Sequence, residues 1–243
     1  MDQSKPSKNE VKDMPEGWYR WAASNADRIK AAAAQGKEPW FIRDNKAVWD
    51  ETLAELKYPE NFEAYRRLKA DENYTEVAFD KKSGGVMARH IRHNEPNGAF
   101  NFNGDSVSSA NLERECQKEL SNLGYKAILR PEGVLGPDRK ELPSLDMDLE
   151  GTPIDIRSVV ADSPNYRNQI KAKSGQLRRF LAVEPESGAD SVCLYFHAPE
   201  MFSAERVKIG ISEFLKTPQA EGTPLKRVIC VVRGADRIYE YGV

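Results

Sequence analysis

The chain has 243 residues, long enough for one large domain or for a compact domain preceded by a smaller region. Hydrophobic residues make up 40% and charged residues 30%, which excludes a disordered or fibrous chain; a formal net charge of -2 excludes a globally basic polyanion binder, so any contact with phosphate has to come from a local cluster of basic groups. No apolar run approaches the roughly 20 residues that span a bilayer, and MDQSKPSKNEVKD lacks the apolar stretch of a signal peptide, so no membrane partner and no export signal are expected.

Residues 1–14 are polar and aperiodic and read as a disordered lead. Residues 15–74 read as a helical N-terminal region. Trp18, Trp21, Ala22, Ile29 and the alanine run that follows give a helix ending near Gly36, and residues 51–69 give further helices broken at Pro59. Residues 39–45 form an aromatic turn segment between them. Trp18, Trp21, Trp40 and Trp49 read as core or docking residues, because no basic residues interleave with them regularly as base-stacking platforms require.

Residues 75–243 read as an α/β domain with a leading hairpin, residues 75–79 and 86–91 alternating on either side of Ser83-Gly84-Gly85. Residues 95–105, rich in Asn and Gly, form a loop. Ser108 or Ser109 caps a helix carrying Leu112, Cys116, Leu120 and Leu123 that stops at Gly124. Residues 125–129 give a short strand, residues 131–143 a Gly/Pro-rich loop, and residues 145–149 and 154–160 a hairpin about Glu150-Gly151. Ser163-Pro164 signals the start of a helix running to about Phe180. A strand at 191–196, a helix at 203–215, a strand at 228–232 and an edge strand at 238–241 complete the chain. The order α-β-β-β-α-β-α-β predicts a mixed sheet with helices on both faces. Cys116, Leu120, Val192, Leu194, Ile209, Ile229 and Val231 are expected in one core, and the three cysteines, Cys116, Cys193 and Cys230, as buried reduced thiols.

Metal-assisted phosphodiester hydrolysis needs carboxylates held rigidly around one point, so that hard cations polarise the phosphate and activate water. Asp146 lies on the first strand of the second hairpin and Asp155 on the other, with Arg157 two residues on. Period-2 geometry puts Asp155 and Arg157 on one face, and pairing through Glu150-Gly151 brings Asp146 towards them. Glu113, in the first turn of the preceding helix, is a third candidate and Glu115 its rival, although a helix dipole by itself favours a glutamate there. The structural alternative is a solvated strand face on which a surface-facing Asp155 pairs with Arg157 or Arg130.

The helix after the hairpin carries Arg167, Lys171, Lys173, Arg178 and Arg179. Asn168 and Lys171 share a face and can point at one site while the other charges stay in solvent; Asn168, Lys171, Lys173 and Arg178 are the candidate nucleic-acid contacts. In Arg89-His90-Ile91-Arg92-His93, alternation separates the two histidines, so they are no facing pair of metal ligands; either His90 or His93 could instead serve a metal-independent ribonuclease as acid or base. His197, after an apolar strand, reads as structural.

Leu112-Glu113, Leu123-Gly124-Tyr125, Pro143-Ser144-Leu145-Asp146, Gly151, Asp155-Ile156-Arg157-Ser158 and the basic helix after Ser163-Pro164-Asn165 together resemble the PD-(D/E)XK nuclease superfamily. Within it, the chain from about Gly85 to Val243 resembles the C-terminal tRNase domains of contact-dependent growth-inhibition toxins. The resemblance implies a restriction-endonuclease-like α/β core, a central mixed sheet flanked by helices and preceded by a small helical region. It implies an endonuclease with RNA, tRNA in particular, preferred over DNA, and an immunity protein as partner. Glu113, Asp146 and Asp155 become ligands of Mg²⁺ or Mn²⁺, Asp146 and Asp155 are catalytic, and Arg157 stands where the family has a lysine. Arginine stays protonated and stabilises charge without handling a proton, so the Asp/Asp/Arg set is either a tuned or a weakened site. Asn25-Ala26-Asp27-Arg28-Ile29 and residues 39–45 resemble segments of phage minor head proteins of the Mu type, which implies a phage head assembly as partner and a cytoplasmic or virion-associated location. The joint expectation is a phage or mobile-element toxin-like nuclease; the alternative is a head-associated structural or nucleic-acid-binding protein with a degenerate nuclease fold.

Overall fold

Apolar periodicity and capping set up the elements seen in the computed structural model, which describes residues 46–93, 99–102, 105–160, 163 and 165–243. The lead over residues 1–14, the helix around Trp18 and Trp21, the segment 39–45 and Pro164 lie outside the described residues. The chain divides into two compact units, residues 1–63 and 64–243. Helix α1 (Lys46–Lys57) lies in the first, and α2 (Pro59–Ala70) spans the division, its proline in the first turn where a missing N–H costs nothing.

In the second unit, β1 (Tyr74–Phe79) and β2 (Val86–His90) pair antiparallel. A separate hairpin, β3 (Ala99–Phe102) with β4 (Asp105–Ser108), leads into α3 (Ser109–Asn122), whose N-cap Ser108 accepts a hydrogen bond from the Asn111 N–H at 3.2 Å. Then come β5 (Lys126–Leu129), β6 (Met147–Leu149), β7 (Thr152–Ser158), α4 (Arg167–Leu181), β8 (Ser191–Phe196), α5 (Ala204–Leu215), β9 (Arg227–Val232) and β10 (Tyr239–Gly242). The molecule is α/β, with a mixed eight-stranded sheet in the order β1-β2-β5-β6-β7-β8-β9-β10 flanked by helices. Strand β2 runs parallel to β5, and β7, β8 and β9 run parallel to one another. From α3 to β9 the element order is the one read from the sequence.

The sheet separates two cores rather than covering one. Along β8, Val192, Leu194 and Phe196 pack with Ile170, Leu177 and Phe180 of α4 and Val207, Ile211 and Phe214 of α5. The alternate residues Cys193 and Tyr195 pack on the opposite face with Leu112, Cys116 and Leu120 of α3. This is period-2 alternation with both faces buried, as expected of a central parallel strand. Ile209 does not join either core: it is 42% exposed, because α5 buries the stripe Val207, Gly210, Ile211 and Phe214 and residue 209 falls on its other side. The thiols of Cys116, Cys193 and Cys230 are buried and free.

Helix α4 starts at Arg167, later than the Ser163-Pro164 signal suggests. Its N-cap Tyr166 offers no side-chain cap; the Asn165 side chain instead accepts from the Arg167 N–H at 3.0 Å. Among the described residues no helix is long and apolar enough to cross a membrane.

Candidate functional site

The turn between β6 and β7 fixes the centre of the site. Glu150 (φ 51°) and Gly151 (φ 82°) both take left-handed backbone conformations, the requirement of a two-residue turn whose twist suits a hairpin. That turn sets the register Met147 opposite Ile154, so one step further along, Asp146 comes opposite Asp155. Asp146 is anchored there: its Oδ2 accepts from the Ile156 N–H at 2.6 Å.

Asp155 is fully buried, in contrast to the surface-facing position expected from the strand pattern. Its partner is neither Arg157 nor Arg130 but Lys173 of α4, whose ammonium donates to Asp155 Oδ1 at 2.7 Å and lies 3.8 Å from Asp146 Oδ2. Lys173 is therefore no solvent-facing lysine. It sits three residues after Ile170 and four before Leu177, within the apolar stripe that docks α4 on the sheet. Burial and the charge of Asp146 push the Asp155 carboxyl well above the usual aspartate range, against the pull of Lys173. Burial pulls Lys173 down, but the charges of Asp146 and Asp155 outweigh it and hold the lysine above its ordinary value. Two carboxyls and one ammonium thus share a volume largely shielded from water.

A second group of side chains borders the first. His93 is buried beyond the end of β2; its Nδ1 lies 2.9 Å from the Arg130 carbonyl, which fixes Nδ1 as the protonated nitrogen. Nε2 then faces Glu113 Oε2 of α3 at 3.3 Å, without the alignment of a hydrogen bond. Glu132, in the loop after β5, approaches His93 Nδ1 to 3.8 Å. Burial raises the Glu113 carboxyl, and Asp146 adds to this while His93 opposes it. Burial lowers His93, yet Glu113, the Arg130 carbonyl and Glu132 turn the balance upward. Burial also pushes Glu132 up to about 7, with Asp146 and Glu113 acting in the same direction.

Glu113 and Glu115 are separated by the turn of α3. Glu115 Oε2 accepts from the Tyr195 hydroxyl at 3.0 Å and lies 2.5 Å from His197 Nδ1, while Arg233 Nη1 lies 3.3 Å from His197 Nε2. His197 therefore belongs to a satisfied network at the end of β8. Arg157, exposed on the same face of β7 as Asp155, contributes its positive charge to the surroundings of Lys173. His90 is only partly buried, and its Nδ1 accepts from the Arg92 N–H at 3.0 Å. Asn168, Lys171 and Arg178 lie on the outer side of α4, away from Lys173.

A hard divalent cation of the Mg²⁺ or Mn²⁺ type takes oxygen ligands. Among the described residues Asp155 Oδ2 and Glu113 Oε2 are buried oxygens that accept no well-aligned hydrogen bond, the Asp155 carboxyl interacting with that of Asp146 and Glu113 with His93. The facing pair Asp146 and Asp155 fits such an ion in donor chemistry. Glu113 does not close on it: among the described residues no three His, Cys, Asp or Glu side chains form a cage, and Lys173 lies against both aspartates.

Sequence reading named Lys173, His93 and Glu113 but not their partners, and did not name Glu132. Lys173 carried a signal, a lysine in phase with an apolar stripe. Glu132 carried none, since a loop residue has no periodicity to read, and the pairing of His93 with Glu113 spans two elements that only the sheet brings together. Compared with protein-family models, with curated proteins and with solved structures, the chain matches none.

Proposed function

We propose that residues 64–243 form a metal-dependent phosphodiesterase acting on nucleic acid, an endonuclease with RNA, tRNA in particular, as its substrate. The observation that carries this reading is the hairpin register that sets Asp146 opposite a fully buried Asp155, with the Lys173 ammonium against both. A core built only for stability would replace two facing carboxyls and an ammonium with apolar side chains, often at no loss of stability.

Asp146 and Asp155 would hold Mg²⁺ or Mn²⁺, which supplies the charge to polarise a phosphate and to lower the pKa of an attacking water. Lys173, held protonated and fixed by Asp155, stabilises negative charge as it develops on the phosphoryl oxygens. This supplies the lysine that the Asp-Ile-Arg segment lacks: it arrives from α4 instead of from β7. Exposed Arg157 steers and orients the phosphate at the rim. Glu113, beside His93, borders the same region, where burial and Asp146 raise its carboxyl.

The test is cleavage of tRNA and of duplex DNA at matched salt, in Mg²⁺ and in Mn²⁺, by wild type, Asp155→Asn and Lys173→Arg, each first shown to be folded by near-UV circular dichroism. Wild type should cut tRNA, and both variants should lose activity by about 10²-fold or more. Activity that survives EDTA but disappears in His90→Ala would move the reading to a metal-independent ribonuclease. If wild type cuts neither substrate yet binds one through Lys171, a nucleic-acid-binding module with a degenerate nuclease fold replaces the enzyme.

A further inference from the structure

Helix α4 has two working faces. Lys173 and Lys171 are two residues apart, which on a helix is roughly 200° of rotation, so one points into the sheet and the other away from it. On the outward side the helix borders a groove of about 430 Å³, closed on its other wall by the short turn Pro218–Ala220 and lined by Asn168, Lys171, Ser174, Gly175, Arg178 and Gln219. That volume lies within the range of clefts that hold small ligands or segments of larger ones, about 300–1,000 Å³.

Three observations say what fits it. Among the described residues the lining carries two cations and no carboxylate. Lys171 makes no ion pair or hydrogen bond among the described residues, so its charge is uncommitted, whereas Arg178 is held in place by donating to the carbonyls of Gln219 at 2.9 Å and Glu221 at 3.1 Å. Gly175 lies in the middle of α4, where glycine is the least favourable residue after proline, and a Cβ there would meet nothing within 4 Å. No packing within the described chain accounts for that glycine. A helix backbone left bare beside a lysine and a braced arginine suits the close approach of an anionic chain.

We propose that the groove between α4 and the Pro218–Ala220 turn is a separate binding site for the phosphodiester backbone of a nucleic acid, holding a part of the strand that is not being cut. This rests on the reading of the chain as acting on nucleic acid. Lys171 and Arg178 take the phosphates, the bare backbone at Gly175 lets the strand approach α4, and the amides of Asn168 and Gln219 offer donors and acceptors to the sugar edge. The substrate therefore bends around α4, with the scissile phosphate on the Lys173 side and an anchored segment on the Lys171 side.

The experiment measures binding of fluorescein-labelled 25-nucleotide single-stranded RNA, and of DNA of the same sequence, by fluorescence anisotropy in EDTA over a series of salt concentrations. Wild type, Lys171→Glu, Gly175→Leu and Asp155→Asn are compared. Gly175→Leu fills the groove with a better helix former, so its melting temperature should hold or rise, while affinity falls at least tenfold. Lys171→Glu should lose at least as much and flatten the salt dependence, and Asp155→Asn should bind as well as wild type or better. Loss on RNA but not on DNA assigns the groove to RNA, and equal loss on both assigns it to the shared phosphodiester. Wild-type affinity in Gly175→Leu and Lys171→Glu overturns the proposal while leaving the catalytic reading intact. If both variants lose binding but wild type cuts nothing in Mg²⁺ or Mn²⁺, the groove stands and the catalytic reading fails. A wild type that binds neither strand but binds polyglutamate in a Lys171-dependent way overturns the nucleic-acid assignment in favour of an acidic protein partner.

Discussion

Strands β7 and β8 run parallel, with Asp155 in register with Val192. Both residues are fully buried, yet one is an aspartate and the other a valine. Strand β8 carries no charged residue between its two helical layers; its side chains pack into the two cores, and the Tyr195 hydroxyl finds its partner in Glu115. Strand β7 gives up that packing at Asp155 and depends on a lysine from another element to make the charge tolerable. The difference teaches that the sheet is built to bury side chains on both faces, and that β7 departs from this where the candidate chemistry sits. Such departures from local rules are expected at functional sites.

The comparison is broken most severely by removing the lysine. Lys173→Met should cost about 3–5 kcal/mol at neutral pH in urea denaturation, because it leaves a buried carboxylate without its counter-charge. Asp155 already binds its proton more tightly folded than unfolded, and without Lys173 this grows, so the deficit should shrink as the pH is lowered. The double variant Asp155→Leu/Lys173→Met should recover most of the loss, making β7 resemble β8 in stability while abolishing the proposed nuclease activity. Failure of the double variant to recover would mean that the pair stabilises the fold and is not a cost carried for chemistry.

A medium effect concerns the bordering carboxylate. The Glu132 carboxyl rises from 4.5 to about 7 on folding, so in that window the folded state holds a proton that the unfolded state has released. Its contribution is fully present below the unfolded value and is lost as the pH rises through about 7. Raised His93 has the same sign. Stability should fall between roughly pH 4.5 and 7, and Glu132→Gln should flatten that slope. An unchanged slope in the glutamine variant would remove Glu132 from the cluster.

Smaller effects separate the packed from the unpacked faces of the helices. Gly175→Ala should raise stability by about 0.5–1 kcal/mol, since the position is helical and open and alanine restricts the unfolded chain. Ile209→Ser, on the outer side of α5, should change it by no more than about 0.5 kcal/mol. By contrast Phe214→Ala, fully buried one turn away, belongs with the largest losses at about 3–5 kcal/mol.

The sequence by itself determined what depends on neighbours along the chain. Alternating strands, the Ser108 cap and the Glu150-Gly151 turn are local, and they gave the order of elements and the hairpin that pairs Asp146 with Asp155. Tertiary structure decided the rest of the site, because burial and charge depend on what packs from afar. Asp155 looked exposed because a strand pattern does not reveal that α4 will cover that face. Lys173 looked solvated because a basic helix reads as wet until one asks which of its cations shares the apolar stripe. His93, Glu113 and Glu132 come from the end of β2, from α3 and from the loop after β5, and only the parallel pairing of β2 with β5 beneath α3 draws them together. The single-core expectation failed for the same reason: alternation shows that a strand has two faces, but helices docked on both sides are needed to make each face a core.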